Sequence, residues 1–496
     1  MMLMRDILES RMGTGRVVKV FQTLALIGII LPLFWLDARV EYDDAWFIIS
    51  GYEWVVNGLP KIPAFIDSPG GDDQLHLLWL SVSGVAAIGI KLLSGFMSMI
   101  SSARLPMVIA SAIAIIMLGV RGSRILGPVP AWCGAAFLSL DSIVFLNART
   151  VRPEALLLPI FVWVILQLMA IINEKALPKN IFLASIVLGS ATLALHPNAL
   201  VIPSCLMISA LFSVPKKIIV IKTAIWCSIG IILGIILYSS FVSYVFSDFN
   251  NINKYLIGDL LFRTNNSIIN GHNYLHDAIS LLSRWSVFPY RAIIFICIVF
   301  SIIAVRKEST LQFLVISAFL FLILYTFLRG SGNVRYMAFA GLLLSPVIGT
   351  AFFKRHKIFN PLWANVFMLI LFITLLSGFG NIIETFRTNS NTKIIKSVLK
   401  NDIPYNGIII SSLWIGGIAP DRRVILDLYA AKYLRKGGNI NKDEKYYYVE
   451  DGLNGDPWKI KSIFRENGFN MRIISNHNML PRLEYLRVIY LTKHSQ

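Results

Sequence analysis

Twelve stretches of about 20 mostly apolar residues recur along the chain, at 20–36, 75–95, 104–120, 129–147, 153–172, 180–196, 198–214, 218–240, 287–305, 310–328, 334–353 and 361–380. This is the length a helix needs to cross the hydrocarbon core of a bilayer. A helix also satisfies the backbone N–H and C=O groups of such a run within the run itself, which lipid requires. A soluble globule of 496 residues has nowhere to hide so much apolar surface. Only 15% of the residues are charged, against roughly 25% in soluble domains. A single soluble domain, a disordered chain and a disulfide scaffold are therefore excluded. The four cysteines, Cys133, Cys205, Cys227 and Cys297, each lie inside an apolar stretch without CxxC spacing and read as inert buried thiols. The first run, Val20–Leu36, ends in Asp37-Ala38-Arg39, a poor cleavage site, and reads as a retained helix.

The formal net charge of +18 would point to nucleic acid in a soluble chain. In a polytopic chain it reports topology, and no nucleic-acid partner is expected. Short basic loops at Arg121/Arg124, Lys175/Lys179, Lys216/Lys217, Arg306/Lys307 and Lys354/Arg355/Lys357 belong with the basic N-terminus on the cytoplasmic side. The connections 37–103, 148–153, 196–198, 241–286 and 329–335, and the tail, then lie outside. Eleven stretches span in this arrangement, and 75–95 is interfacial or re-entrant. In the alternative, 75–95 spans and the Arg121/Arg124 turn faces outward; five agreeing basic loops favour the first. The expected architecture is a polytopic α-helical protein of the cytoplasmic membrane with about 11–13 transmembrane helices. Its transmembrane module covers 1–380, and an extracytoplasmic α/β domain covers 381–496. In the tail, Gly407–Ser412, Arg423–Leu426, Lys445–Val449, Met471–Ser475 and Tyr485–Leu491 read as strands, and Pro457–Asn467 as a helix ending at Gly468. The tail carries 18 basic and 11 acidic residues, a net +7, and no nucleophile, metal or phosphate motif.

Chemistry-bearing residues gather on the outer side. Asp43 and Asp44 follow Glu41 just past the first helix. Neighbouring acids repel, which raises one of them into a useful proton acceptor; the plain alternative is acids at a helix N-terminus. Arg152-Pro153-Glu154 is equally a helix start and a costly charge pair at a membrane boundary. His196-Pro197-Asn198 lies between two apolar segments, where a satisfied polar residue is the simpler reading. Arg329-Gly-Ser-Gly-Asn-Val-Arg335-Tyr336 joins two guanidinium groups to a Gly-rich turn and a helix start, as an anion site would. The loop 241–286 holds Tyr244, Asp248, Lys254, Tyr255, Arg263, His272, His276, Asp277 and Arg284, a mixture suited to a ligand or to any interface. Together these polar groups at one membrane face make a site.

The order of these elements resembles the GT-C class of membrane glycosyltransferases. The nearest likeness is the family 39 type, which includes protein mannosyltransferases and lipid A aminoarabinose transferases. An acidic pair follows the first helix, an Arg-Pro-Glu element comes about 110 residues later, His196-Pro197 sits at a helix end, Arg335-Tyr336 opens a late helix with Pro346 beyond it, and a small α/β tail closes the chain. The resemblance implies an inverting hexosyl or pentosyl transferase acting on the outer face. The donor would be a polyprenyl-phosphate sugar, and the acceptor a lipid, a glycan or a protein. Asp43 and Asp44 would orient or deprotonate the acceptor, and Arg335 with Tyr336 would hold the donor phosphate. Arg152, Glu154 and His196 would line the same cavity. Family members often carry Asp-Glu where this chain has Asp43-Asp44, which leaves open which acid acts. No ligand cluster argues for a metal or other cofactor, although a divalent cation bridging Asp43 or Asp44 to phosphate is compatible with the chemistry. A lipid-linked sugar flippase is the alternative; the lack of an internal repeat argues against it.

Overall fold

The computed structural model describes residues 14–37, 40, 42–60, 80–196, 198–246, 290–306, 308–329, 337–387, 391–435, 444–451, 459–478 and 485–493. The chain forms two compact units. Unit 1 comprises Met1–Leu33, Met107–Arg149 and Pro153–Ile382; unit 2 comprises Phe34–Pro106, Thr150–Arg152 and Ile383–Gln496.

The helices run α1 Thr14–Ile30, α2 Tyr42–Asn57, α3 Leu80–Leu93, α4 Met99–Leu126, α5 Pro128–Ser139, α6 Ser142–Ala148, α7 Pro153–Ile172, α8 Phe182–Ala194, α9 Asn198–Ser213, α10 Lys217–Phe246, α11 Tyr290–Val305, α12 Ser309–Arg329, α13 Met337–Ile358 and α14 Pro361–Arg387. Every apolar stretch of the sequence thus carries a helix. Six helices among the described residues are long and apolar enough to cross a membrane, and α5 with α6, bent by 68° at their break, form either a broken seventh span or a re-entrant loop. The protein is an integral membrane protein.

Burial of apolar side chains does little to drive helices together in lipid, so close backbone packing through small residues carries much of the association. Unit 1 uses it repeatedly. Gly234 of α10 lies directly against the Ile186 carbonyl of α8, and Ser190 Oγ donates to the Gly234 carbonyl at 3.0 Å. A Cβ on Gly134 of α5 would sit 2.5 Å from the Ser345 carbonyl oxygen of α13. α13 is buried along almost its whole length. Phe339 there meets Phe161 and Phe321 edge-on at 4.9 and 6.2 Å. By contrast, α10 exposes Ile218, Ile232 and Phe241, as a lipid-facing helix does.

In unit 2, α2 packs on α3. A Cβ on Gly51 would lie 2.9 Å from Ala86 Cβ, and Gly84 faces the Trp54 ring. The described part of α3, Leu80–Leu93, has 14 residues and is about 21 Å long.

The C-terminal part of unit 2 holds α15 Asn391–Asn401, β1 Ile408–Ser411, α16 Leu413–Ile418, β2 Val424–Leu426, α17 Asp427–Arg435, β3 Tyr446–Asp451, α18 Ile460–Glu466, β4 Phe469–Asn478 and β5 Tyr485–Lys493. The strands form one sheet in the order β2-β1-β3-β5-β4, parallel through β2, β1 and β3 and antiparallel beyond. Ile408, Ile410, Tyr446, Tyr448, Ile489 and Leu491 form a core with Ala431 and Leu434 of α17 and Ile460 and Phe464 of α18. Gly468 ends the α18 segment at φ +77°, as a helix C-terminal glycine does. All five expected strands are present. β4 runs on to Asn478, with a bulge between Ile473 and Ser475.

Candidate active site

The first turn of α2 contains Asp43 and Asp44, where the helix dipole favours negative charge. Capping does not account for the burial of Asp44. Its side chain is wholly inaccessible and ion-paired with Arg104 of α4, which is equally inaccessible. Arg104 also donates to the Leu36 carbonyl at 2.7 Å, and the Val151 amide donates to Asp44 Oδ1 at 2.6 Å. Each carboxylate oxygen therefore has a strong donor. Four segments meet at this acid: the residues after α1, the start of α2, the start of α4 and the 150–152 connection. Burying two charges costs several kcal/mol per ion, and it is tolerated where lone pairs and protons are matched in this way.

Asp43 precedes Asp44 on the same helix and so lies about 100° around it. Its backbone belongs to α2, and its side chain lies outside the described residues. Arg152 is buried in unit 2 and is the next residue after Val151, which anchors Asp44.

In unit 1, Glu154 is buried in the first turn of α7, immediately after Pro153. Pro at the first position and an acid at the second satisfy a helix start. His196 is buried just past α8. Its amide donates to the Ala191 carbonyl at 3.0 Å and its carbonyl accepts from Ala199 at 2.9 Å, so it forms the corner between α8 and α9. Arg335 and Tyr336 lie outside the described residues, directly before α13. In the 241–286 loop, Tyr244 is exposed at the end of α10. Asp248, Lys254, Tyr255, Arg263, His272, His276, Asp277 and Arg284 lie outside the description.

Two polar residues escape sequence reasoning. Arg104 stands at the very edge of an apolar stretch, where a hydropathy window absorbs one charge. Its position inside the apolar helix α4 was the available signal. Asp141 sits in the break between α5 and α6, buried, with Oδ1 accepting from the amides of Ile143 and Val144 at 2.8 and 3.0 Å. An acid in the middle of the 129–147 run was its signal.

No group of three or more His, Cys, Asp and Glu side chains able to hold a metal occurs among the described residues. Asp44 in particular has both oxygens engaged and its charge balanced by Arg104, so it is not arranged to bridge a cation to phosphate.

No family model matches the chain, and no curated protein sequence matches it. Solved structures do. ArnT from Cupriavidus metallidurans in the apo state superposes with a TM-score of 0.60 at 14% identity, covering 96% of this chain and 98% of that one. The same protein bound to undecaprenyl phosphate gives 0.58 at 14%, covering 97% and 98%. The Archaeoglobus fulgidus oligosaccharyltransferase in complex with zinc and sulfate gives 0.51 at 12%, covering 94% of this chain and 72% of that one. ArnT, a lipid A aminoarabinose transferase, and the oligosaccharyltransferase are both GT-C glycosyltransferases. The chain shares their polytopic membrane fold, as the order of its sequence elements led one to expect.

Proposed function

We propose that this protein is a GT-C type glycosyltransferase. It moves a sugar from a polyprenyl-phosphate donor to a lipid, glycan or protein acceptor on the outer face of the cytoplasmic membrane. One observation carries the reading: nearly the whole chain, 97% of it, shares its fold with ArnT bound to undecaprenyl phosphate. The basic short loops support a cytoplasmic N-terminus and an extracytoplasmic tail.

In this reading the two acids divide the work. Asp44 is committed to Arg104 and Val151 and fixes the first turn of α2. Asp43 is the acid that faces the acceptor. The acceptor hydroxyl attacks the anomeric carbon from the face opposite the phosphate. Its O–C bond forms as the C–O bond to phosphate breaks, and its proton passes to Asp43. Polyprenyl phosphate leaves with the bonding pair. Phosphate is a good leaving group, so cationic stabilisation suffices; Arg335 supplies it, with Tyr336 beside it in sequence. Arg152, Glu154 and His196 line the substrate cavity. No step is routed through a metal. The sugar is a hexose or a pentose, transferred with inversion.

The flippase alternative could draw on the 68° break between α5 and α6, since transporters use interrupted helices. Likeness to two transferases outweighs it.

The test is release of undecaprenyl phosphate from a panel of labelled undecaprenyl-phosphate sugars in membranes containing the protein. Asp43→Asn is expected to abolish release at wild-type expression and thermal stability. Full activity in Asp43→Asn removes the assigned base, and a wild-type protein that consumes no donor removes the reaction.

A further inference from the structure

Asp451 ends β3, beside β1 in parallel register, where Ser411 pairs with Val449. It is buried, and its Oδ2 accepts from Ser412 Oγ at 2.9 Å and from Trp414 Nε1 at 3.2 Å. Ser412 and Trp414 begin α16. The start of this short helix is therefore pinned to the carboxyl ends of two parallel strands.

α16 lies against α2, the helix that bears the acids. Its sequence is Leu-Trp-Ile-Gly-Gly-Ile, and the glycines are at the contact. A Cβ on Gly417 would stand 2.6 Å from Ala45 Cβ and 2.8 Å from Val40 Cγ1; one on Gly416 would meet Ile49 Cδ1 at 3.2 Å. Ala45 is the residue after Asp44. Two adjacent glycines weaken a helix by about 1 kcal/mol each relative to alanine, and six residues cannot hold a helix unaided. Tertiary contact keeps α16 in place, and the missing side chains let its backbone rest on the first turn of α2.

We propose that the C-terminal sheet positions the acid pair, with Asp451, Trp414 and Gly417 as positioning residues. The consequence for turnover rests on the assignment of Asp43 above; the packing role does not. Ordinary carbon–carbon contact is ~3.5–4.0 Å, so a methyl group on Gly417 must push α2 away by about 1 Å. A displacement of that size at a reacting group lowers turnover by up to about a hundredfold.

Three full-length variants test this: Gly417→Ala, the milder Trp414→Phe, which removes the Nε1 donor to Asp451 together with part of the buried ring, and the double change Gly417→Ala with Ala45→Gly. The first readout is hydrogen exchange across 42–57. Exchange there is expected to rise in both single variants while α7 and α13 keep wild-type protection, and to fall back in the double variant. The second readout uses whichever donor of the undecaprenyl-phosphate panel the wild type consumes. Turnover is expected to drop at least tenfold in Gly417→Ala and less in Trp414→Phe, with donor KM and undecaprenyl phosphate binding unchanged and partial recovery in the double variant. Unchanged exchange across 42–57 in Gly417→Ala overturns the proposal whatever the activity. So does a loss of turnover matched by an equal loss of undecaprenyl phosphate binding. Raised exchange in a protein whose wild type consumes no donor leaves the positioning in place and removes the transferase reading alone.

Discussion

Arg104→Met tests the buried anchor of α2 most directly. The change keeps the apolar stem of the side chain and deletes the guanidinium, leaving the Asp44 carboxylate in a closed site with only the Val151 amide as donor. Breaking a buried pair from one side costs about 3–5 kcal/mol, because the remaining charge stays buried without its counter-charge. Asp44→Asn takes the Asp44 charge away from the guanidinium, which keeps its bond to the Leu36 carbonyl, and the asparagine carbonyl oxygen can still accept from Val151. The double variant, Asp44→Asn with Arg104→Met, buries no charge and retains the Val151 bond, so most of the loss should return, to within about 1.5 kcal/mol of wild type. The assay is thermal unfolding of detergent-solubilised protein at one fixed scan rate, since unfolding of such a chain is irreversible. At about 1 °C per kcal/mol for a chain this long, each single variant should lose roughly 3–5 °C. The double should recover more than half of that. Two single variants within about 1 kcal/mol of wild type, or a double no better than the worse single, would refute the claim that this pair holds α2 in place.

Two further perturbations probe unit 1. Gly234→Leu drives a side chain into the Ile186 backbone of α8, so α8 and α10 must separate and the Ser190–Gly234 bond must break. A destabilisation of about 1–3 kcal/mol is expected in the same thermal assay, whereas Ile232→Leu on the exposed side of α10 should change little. At the break between α5 and α6, Asp141→Asn preserves the acceptor for Ile143 and Val144 and should leave stability within about 0.5 kcal/mol, while Asp141→Ala should lose about 0.5–2 kcal/mol. Equal stability of these two variants would mean the cap contributes nothing.

The transmembrane skeleton was legible because lipid imposes one rule on every span, and hydropathy reads that rule directly. Each of the twelve apolar stretches became a helix. What hydropathy averages away was lost. Asp141 was read through as part of one straight run, although it is the residue on which the chain turns by 68°. Arg104 was taken as the edge of a span, because its partner is 60 positions away and nothing local announces a pairing at that distance. The parallel strands β1 and β2 stood out as short apolar runs flanked by turn residues. The last residues of β4, Asn476–Asn478, did not: all three are polar and carry no apolar alternation. α16 was hidden for a related reason: its glycines and isoleucines favour no helix, and only its neighbours keep it helical.

These particulars bear on how a fold survives when almost no sequence does. At 14% identity to ArnT, the apolar positions are free to exchange among themselves, since any apolar side chain of suitable volume serves a lipid-facing or interhelical surface. Buried polar groups have no such freedom. Asp44 needs Arg104 and the Val151 amide together, and Asp451 needs Ser412 and Trp414 together. Losing one member of either set costs a buried bond, which a matching change at the partner can offset but an unrelated apolar change cannot. Both sets lie in unit 2: the first holds the opening turn of α2 directly, and the second bears on it through α16. A short helix carrying two adjacent acids has little reason to stay formed by itself. Fixing its first turn through two sets of buried bonds holds the backbone of Asp43 in place, which is what the role proposed for that acid requires.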